Sequence, residues 1–182
     1  MMPDLDRCEI GDCREIVRLA KAIRASETQL AYCAGVIDSD GTIGVKRSTY
    51  GMRVVKGCAA PNYSERISVK QVERQAVDLL NLLFGGARYV QNPSAGKGKP
   101  LESWDINNRK AAVCIYALLP YLRIKREQAL NCLRLRVVKE RSKRERVAFG
   151  RGHAGSAHRT ERSSQEMEQA YARAKELNRV GV

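Results

Sequence analysis

Ala31-Tyr32-Cys33-Ala34-Gly35-Val36-Ile37-Asp38-Ser39-Asp40-Gly41-Thr42-Ile43 reads as a helix rich in small residues that ends in two carboxylates and a glycine, with a strand beginning at once. Ser26-x-x-Gln29 supplies a capping box ahead of it, and Gly41 is suited to leave the helix in the left-handed conformation. Leu30, Cys33 and Ile37 predict a core face. Ala31, Ala34 and Gly35, with Asp38, predict a second face almost without side chains, fit for close approach of another helix. Asp38 and Asp40 stand at the negative end of the helix dipole, where each further anion is unfavourable by roughly 0.3–1 kcal/mol. A divalent cation, which takes carboxylate and carbonyl oxygens, would compensate them.

Two other readings of this run are weaker. An EF-hand register with Gly41 at its glycine position puts Val36 at the first ligand position and Arg47 at the last, where carboxylates belong. A solvated Asp turn accounts for Asp-Ser-Asp-Gly alone, but not for the helix that leads into it.

The chain has 182 residues, enough for one well-buried core with appendages. Its 43% hydrophobic content is globular, and only 5% aromatic residues makes that core largely aliphatic. Lys and Arg number 33 against 20 Asp and Glu, a net charge of +13 that points to a polyanionic partner. Nucleic acid fits better than a membrane, because no apolar run reaches spanning length. The N-terminus carries no signal-like hydrophobic segment, which predicts an intracellular protein in a reducing compartment. Cys33, Cys114 and Cys132 fall inside apolar helical patterns and read as small core residues. Cys8 and Cys13 are spaced for a zinc site, but the histidines, His153 and His158, are remote, and no disulfide framework is indicated.

Helical spacing of Ile16, Val17, Leu19, Ala20 and Ile23 predicts a helix ahead of the motif, within an N-terminal extension of residues 1–25. After Gly41 the chain alternates through Ile43 and Val45, and again from Ser64 to Gln71 through Ile67 and Val69, as two strands. A basic segment from Gly51 to Asn62 joins them. A helix follows from Glu73 to Phe84, stopped by Gly85-Gly86. Strands over 87–92 and 101–106 flank a Gly/Lys-rich loop that lacks the P-loop order and reads as a hairpin tip. Asn107 caps a helix ending before Pro120, and a long basic helix runs from Arg126 to Val147. From Leu122 to Arg146 there are ten basic residues and three acidic ones, most of which read as a solvated face. This core of residues 26–148 is followed by a linker, 149–162, and a last helix within 163–182 capped by Ser163-x-x-Glu166.

That order predicts an α+β fold, a twisted antiparallel four-stranded sheet backed by helices. One sheet face is polar and largely basic: Lys46, Ser48, Tyr50, Ser64, Arg66, Ser68, Lys70, Gln91, Ser103 and Asp105. Such a face can lie in the DNA major groove, while each member alone could be a solvated strand position.

The run from Tyr32 to Gly41 resembles the signature of the LAGLIDADG homing endonucleases. The order of elements from Ser26 to Val138 is similar to the single-motif branch of that family, an αββαββα core whose sheet forms a DNA-binding saddle. The resemblance implies a site-specific DNA endonuclease making a metal-dependent double-strand break in a long, near-palindromic site. It assigns Asp40 and the Ser39 carbonyl to Mg²⁺, with Mn²⁺ as a substitute, and makes Asp40, Gln71 and Lys125 the catalytic set. Lys125 sits in a Pro-x-Leu-x-x-Lys context similar to the family's active-site lysine, and Asp38 is left as a structural acid. The family's arginine beyond the glutamine has two candidates, Arg74 and Gln75. With one motif copy the chain is half a site, so the resemblance implies a homodimer through Ala31, Ala34 and Gly35. The alternative on the same fold is a non-cleaving nucleic-acid binder, either an intron maturase, whose partner is RNA, or a transcription regulator.

Overall fold

The Ser26 capping box forms as read. Its hydroxyl accepts from the Gln29 amide at 3.2 Å, and the Gln29 side chain accepts from the Ser26 amide at 2.9 Å. In the computed structural model, which describes residues 13–48, 61–92, 98–148 and 160–179, this cap opens helix α2, Glu27–Asp40. A shorter helix, α1, Arg14–Lys21, precedes it and packs on the later helix α4, Asn108–Leu118.

From α2 the chain passes without a loop into β1, Gly41–Ser48. Gly41 does not adopt the expected left-handed conformation; its backbone is extended, with φ −92° and ψ 168°. Its lack of a side chain matters for another reason. A Cβ there would lie 2.7 Å from the Ile37 carbonyl oxygen and 2.8 Å from the Ile37 Cα. The direct helix-to-strand corner folds the chain back on the last helical turn.

β2, Asn62–Gln71, pairs antiparallel with β1, then α3, Arg74–Phe84, leads to β3, Ala87–Gln91, and β4, Leu101–Asn107. The sheet order is β1-β2-β4-β3, antiparallel throughout. Gly85 and Gly86 end α3 at φ +66° and +117°, values that glycine tolerates best. The buried Trp104 indole donates to the Gly85 carbonyl at 2.7 Å and ties this turn to the core. The α+β arrangement and the αββαββα order are those expected from the sequence.

Behind the sheet lie α4, the long α5, Arg126–Ala148, and α6, Glu161–Arg179. Ile43, Ile67 and Ile106 face one another across three strands and pack against Cys33, Ile37, Ile115 and Leu118 in the main core. A second, smaller core joins Tyr63 of β2, Leu135 of α5, and Met167 and Ala170 of α6. Thus α6 is packed on α5 and on edge strand β1. Its N-terminal cap differs from the Ser163-x-x-Glu166 expectation: the Thr160 hydroxyl accepts from the Ser163 amide at 3.2 Å, and Ser163 is buried within the helix. Asn107 occupies the cap position of α4, but its side chain makes no cap hydrogen bond.

The basic run of α5 is less solvated than its composition suggests. Glu65, fully buried on the helix-facing side of β2, accepts from Arg136 at 2.5 Å and from Lys139 at 3.1 Å. A buried carboxylate needs such partners, and part of the charge on α5 serves this purpose. Cys33, Cys114 and Cys132 are buried, and burial raises all three thiols, Cys33 to about 11. No helix of the described residues is long and apolar enough to cross a membrane.

Candidate functional site

The two aspartates at the end of α2 have opposite surroundings. Asp38 is buried, and its carboxylate accepts from the backbone amides of Arg123 at 2.7 Å, Ile124 at 3.2 Å and Lys125 at 2.9 Å. These amides immediately precede α5, so Asp38 supplies acceptors at the positive end of another helix's dipole. In return the Lys125 ammonium donates to the Asp38 carbonyl at the negative end of α2. The structural role read for Asp38 is therefore a specific one: it joins the end of α2 to the start of α5.

Asp40 is exposed, and its carboxylate has no hydrogen-bond or ion-pair partner among the described residues. Ser39 is exposed as well, its hydroxyl donating to the Val36 carbonyl at 3.2 Å. Register places Gln71 at the same end of the sheet: Gly41, which follows Asp40 and opens β1, pairs with Val69, and Gln71 lies two residues beyond Val69 in β2. The Gln71 amide donates to the Glu73 carbonyl at 2.8 Å. Lys125 reaches this end through Asp38, so Asp40, Gln71 and Lys125 gather at one end of α2 and the sheet. Of the two candidates beyond Gln71, Arg74 is ion-paired with Asp78 at 3.1 Å and Gln75 is exposed.

The bare helix face needs correction. Leu30, Cys33, Ala34, Ile37 and Asp38 follow the i, i+3, i+4, i+7, i+8 pattern of a single stripe, and that stripe is turned inward. Ala34, expected at a dimer interface, is fully buried within the chain because it lies between the buried Ile37 and Asp38 on the helical wheel. The outward stripe is Thr28, Ala31, Tyr32, Gly35 and Ser39, with Tyr32 52% exposed. A Cβ on Gly35 would meet nothing within 4 Å.

Strand register puts the expected polar residues on one face. Lys46 opposes Ser64, Ser68 opposes both Thr42 and Asp105, and Lys70 opposes Ser103. Gln91, opposite Leu101, continues that face on β3. Ser48, Ser64 and Ser68 are half-buried, while Lys46 and Lys70 are exposed. Ser103 departs from the expectation, being 1% exposed with a hydroxyl that finds no partner. Its cross-strand neighbours Lys70 and Tyr89 both carry long side chains, and a small residue between them is easily overshadowed. Tyr50, the basic segment after it and most of the 149–162 linker lie outside the described residues.

Within this face Asp105 is not a free acid. Its Oδ1 accepts from Arg66 Nε at 2.9 Å and Nη2 at 2.7 Å, and its Oδ2 accepts from the Tyr89 hydroxyl at 2.6 Å. Burial pushes the carboxyl up, but the hydrogen bonds from Tyr89 and Arg66 outweigh it and hold Asp105 below the usual carboxylate range. Tyr89 is correspondingly raised, first by this hydrogen bond. Alternation identified Asp105 as a face residue, but the pairing depends on β3 lying beside β4, which strand alternation does not specify.

Among the described residues no group of three His, Cys, Asp or Glu side chains is placed to hold a metal. The oxygen donors at Asp40 and Ser39 suit a hard cation, but one chain brings too few of them.

No protein-family model matches the chain, and no curated protein matches it in sequence. Solved structures do match. The homing endonuclease I-CvuI in complex with the I-CreI target is similar at 17% identity and a TM-score of 0.48, over 84% of this chain and 96% of that one. This chain is similar to homing endonucleases. The group I intron-encoded homing endonuclease I-CeuI complexed with DNA gives 10% identity and a TM-score of 0.47, over 94% of this chain and 99% of that one. The homing endonuclease I-TnaI gives 17% identity and a TM-score of 0.43, over 78% of this chain and 97% of that one.

Proposed function

We propose that this chain is a LAGLIDADG-type, site-specific DNA endonuclease that acts as a homodimer and cuts a long, near-palindromic duplex with the help of a divalent cation. The observation that carries this reading is the Asp40 carboxylate, exposed and without a partner among the described residues at the negative end of α2, where the polar face of the sheet begins. A helix end of that polarity is an unfavourable place for an anion unless a cation or a second chain completes it.

In this reading the outward stripe of α2, with Ala31 and Gly35, meets its copy about a two-fold axis and brings two Asp40 side chains together over the DNA. Asp40 and the Ser39 carbonyl would hold Mg²⁺, or Mn²⁺ in its place. Such a cation supplies charge neutralisation at the scissile phosphate and lowers the pKa of a bound water. Gln71 orients groups around the phosphate, and the Lys125 ammonium, held at the end of α2, stabilises developing negative charge. Lys46, Arg66 and Lys70 on the sheet face contact the duplex.

The test incubates the full chain with Mg²⁺ and a library of DNA duplexes beside an Asp40→Asn variant. The expected result is cutting by the wild type and at least about 100-fold less by the variant, since even residues supporting metal ligands cost roughly 10–100-fold when replaced. Equal cutting by the variant overturns the mechanism. Tight duplex or RNA binding without cutting selects the non-cleaving binder on the same fold.

A further inference from the structure

An acid on a face that meets phosphates is unfavourable unless something hides it. The Asp105 side chain is only 12% exposed, whereas Arg66, lying on it, is 41% exposed, so the surface presents the cation and conceals the anion. The cluster spans three strands, Arg66 on β2, Asp105 on β4 and Tyr89 on β3, and both carboxylate oxygens are engaged. An unpaired arginine has many rotamers, and fixing one on a partner costs side-chain entropy on binding. Here that ordering is complete before any ligand arrives.

The guanidinium geometry is specific. Asp105 takes the Nε edge and one Nη2 donor, leaving Nη1 and the rest of Nη2 at the tip. Two parallel donors at the tip of a planar fork match the O6 and N7 acceptors of guanine in the major groove, the commonest specific arginine contact with DNA. The hydrogen bonds from Tyr89 and Arg66 outweigh burial and hold the carboxyl below the usual carboxylate range, so the guanidinium keeps its partner.

We infer that Asp105 is a positioning residue for sequence specificity: with Tyr89 closing its other oxygen, it holds Arg66 as a preset reader of one guanine in each half of the DNA site. The inference rests on the proposed reading of the sheet face as the DNA-binding surface. Asp105 itself touches no base; it acts through Arg66.

The experiment selects bound duplexes from a randomised library with the full-length wild type, Asp105→Asn and Arg66→Lys, and records the melting temperature of each protein. Arg66→Lys keeps the charge but lacks the planar fork, so it retains phosphate attraction while losing bidentate readout. The expected result is that the wild type prefers guanine at one position by roughly 10- to 100-fold. Both variants should lose that preference at the same position and keep the others. If Asp105→Asn fails to fold, Arg66→Lys alone decides. Unchanged preferences in the folded variants, or a uniform loss of affinity at every position, overturn the inference while leaving the DNA-binding reading intact. A wild type that selects no duplex overturns both.

Discussion

Asp38 and Asp40 are separated by one serine, yet replacing each should have opposite consequences. Asparagine at position 38 would remove the charge that three amides ahead of α5 share, and would set an amide NH₂ against at least one of those donors. A loss of stability on the order of 2–3 kcal/mol is expected for Asp38→Asn, read from the denaturant midpoint, since hydrogen bonds to charged acceptors are the strong ones. Asp40→Asn should leave the midpoint unchanged or raise stability by about 0.3–1 kcal/mol, because it removes an exposed anion from a helix C-terminus. A large destabilisation by Asp40→Asn would give that residue a structural role and remove the argument for a ligand. The sequence marks both acids as anomalous for the same reason, their place on the helix dipole. The family resemblance leaves Asp38 as a structural acid, but only the three-dimensional arrangement shows what it holds, because the amides that satisfy it lie 85–87 residues away.

The elements themselves follow closely from local pattern, and their exceptions have local physical causes. Alternation in β1 and β2 set Ile43, Ile67 and Val69 on the apolar side, and they are buried. Gly41 was expected for its conformational freedom and proves necessary for space, since the tight turn from α2 into β1 brings its backbone against Ile37. Gly41→Ala is therefore expected to destabilise by roughly 1–3 kcal/mol through a backbone clash, although its φ suits any residue. A thermal melt equal to that of the wild type would show that the corner relaxes freely. The inner stripe of α2 was only partly legible. Leu30, Cys33 and Ile37 announce it by size, whereas Ala34 and Asp38 belong to it by angle alone, and a small or charged residue does not advertise burial. Likewise Arg136 and Lys139 look like a solvated basic face until Glu65 is found opposite them on the sheet.

At the scale of the whole molecule, the proposed half-site makes the outward stripe of α2 the decisive surface. Gly35 lies in open space, so Gly35→Leu should fold normally and gain about 0.5–1 kcal/mol from replacing a mid-helix glycine. In the proposed dimer the same leucine blocks close helix approach. Wild type is expected to sediment as two chains of 20.4 kDa, and Gly35→Leu as one, with loss of cutting. A variant that still sediments and cuts as a dimer would place the interface elsewhere. A wild type that is monomeric both free and on DNA would end the shared-site account.

By itself, the sequence determined the elements, their order, the strand faces and the end of α2 as the place where charge is out of keeping with helix electrostatics. These are properties of periodicity and of residues within a few positions of one another, which local backbone geometry makes legible. Tertiary structure alone decided that Asp38 holds the start of α5, that Ala34 turns inward, that Ser103 is covered, and that Asp105 belongs to Arg66 and Tyr89. Each depends on groups distant in sequence meeting across strands or helix ends, where packing and hydrogen-bond satisfaction, rather than local propensity, choose the partner.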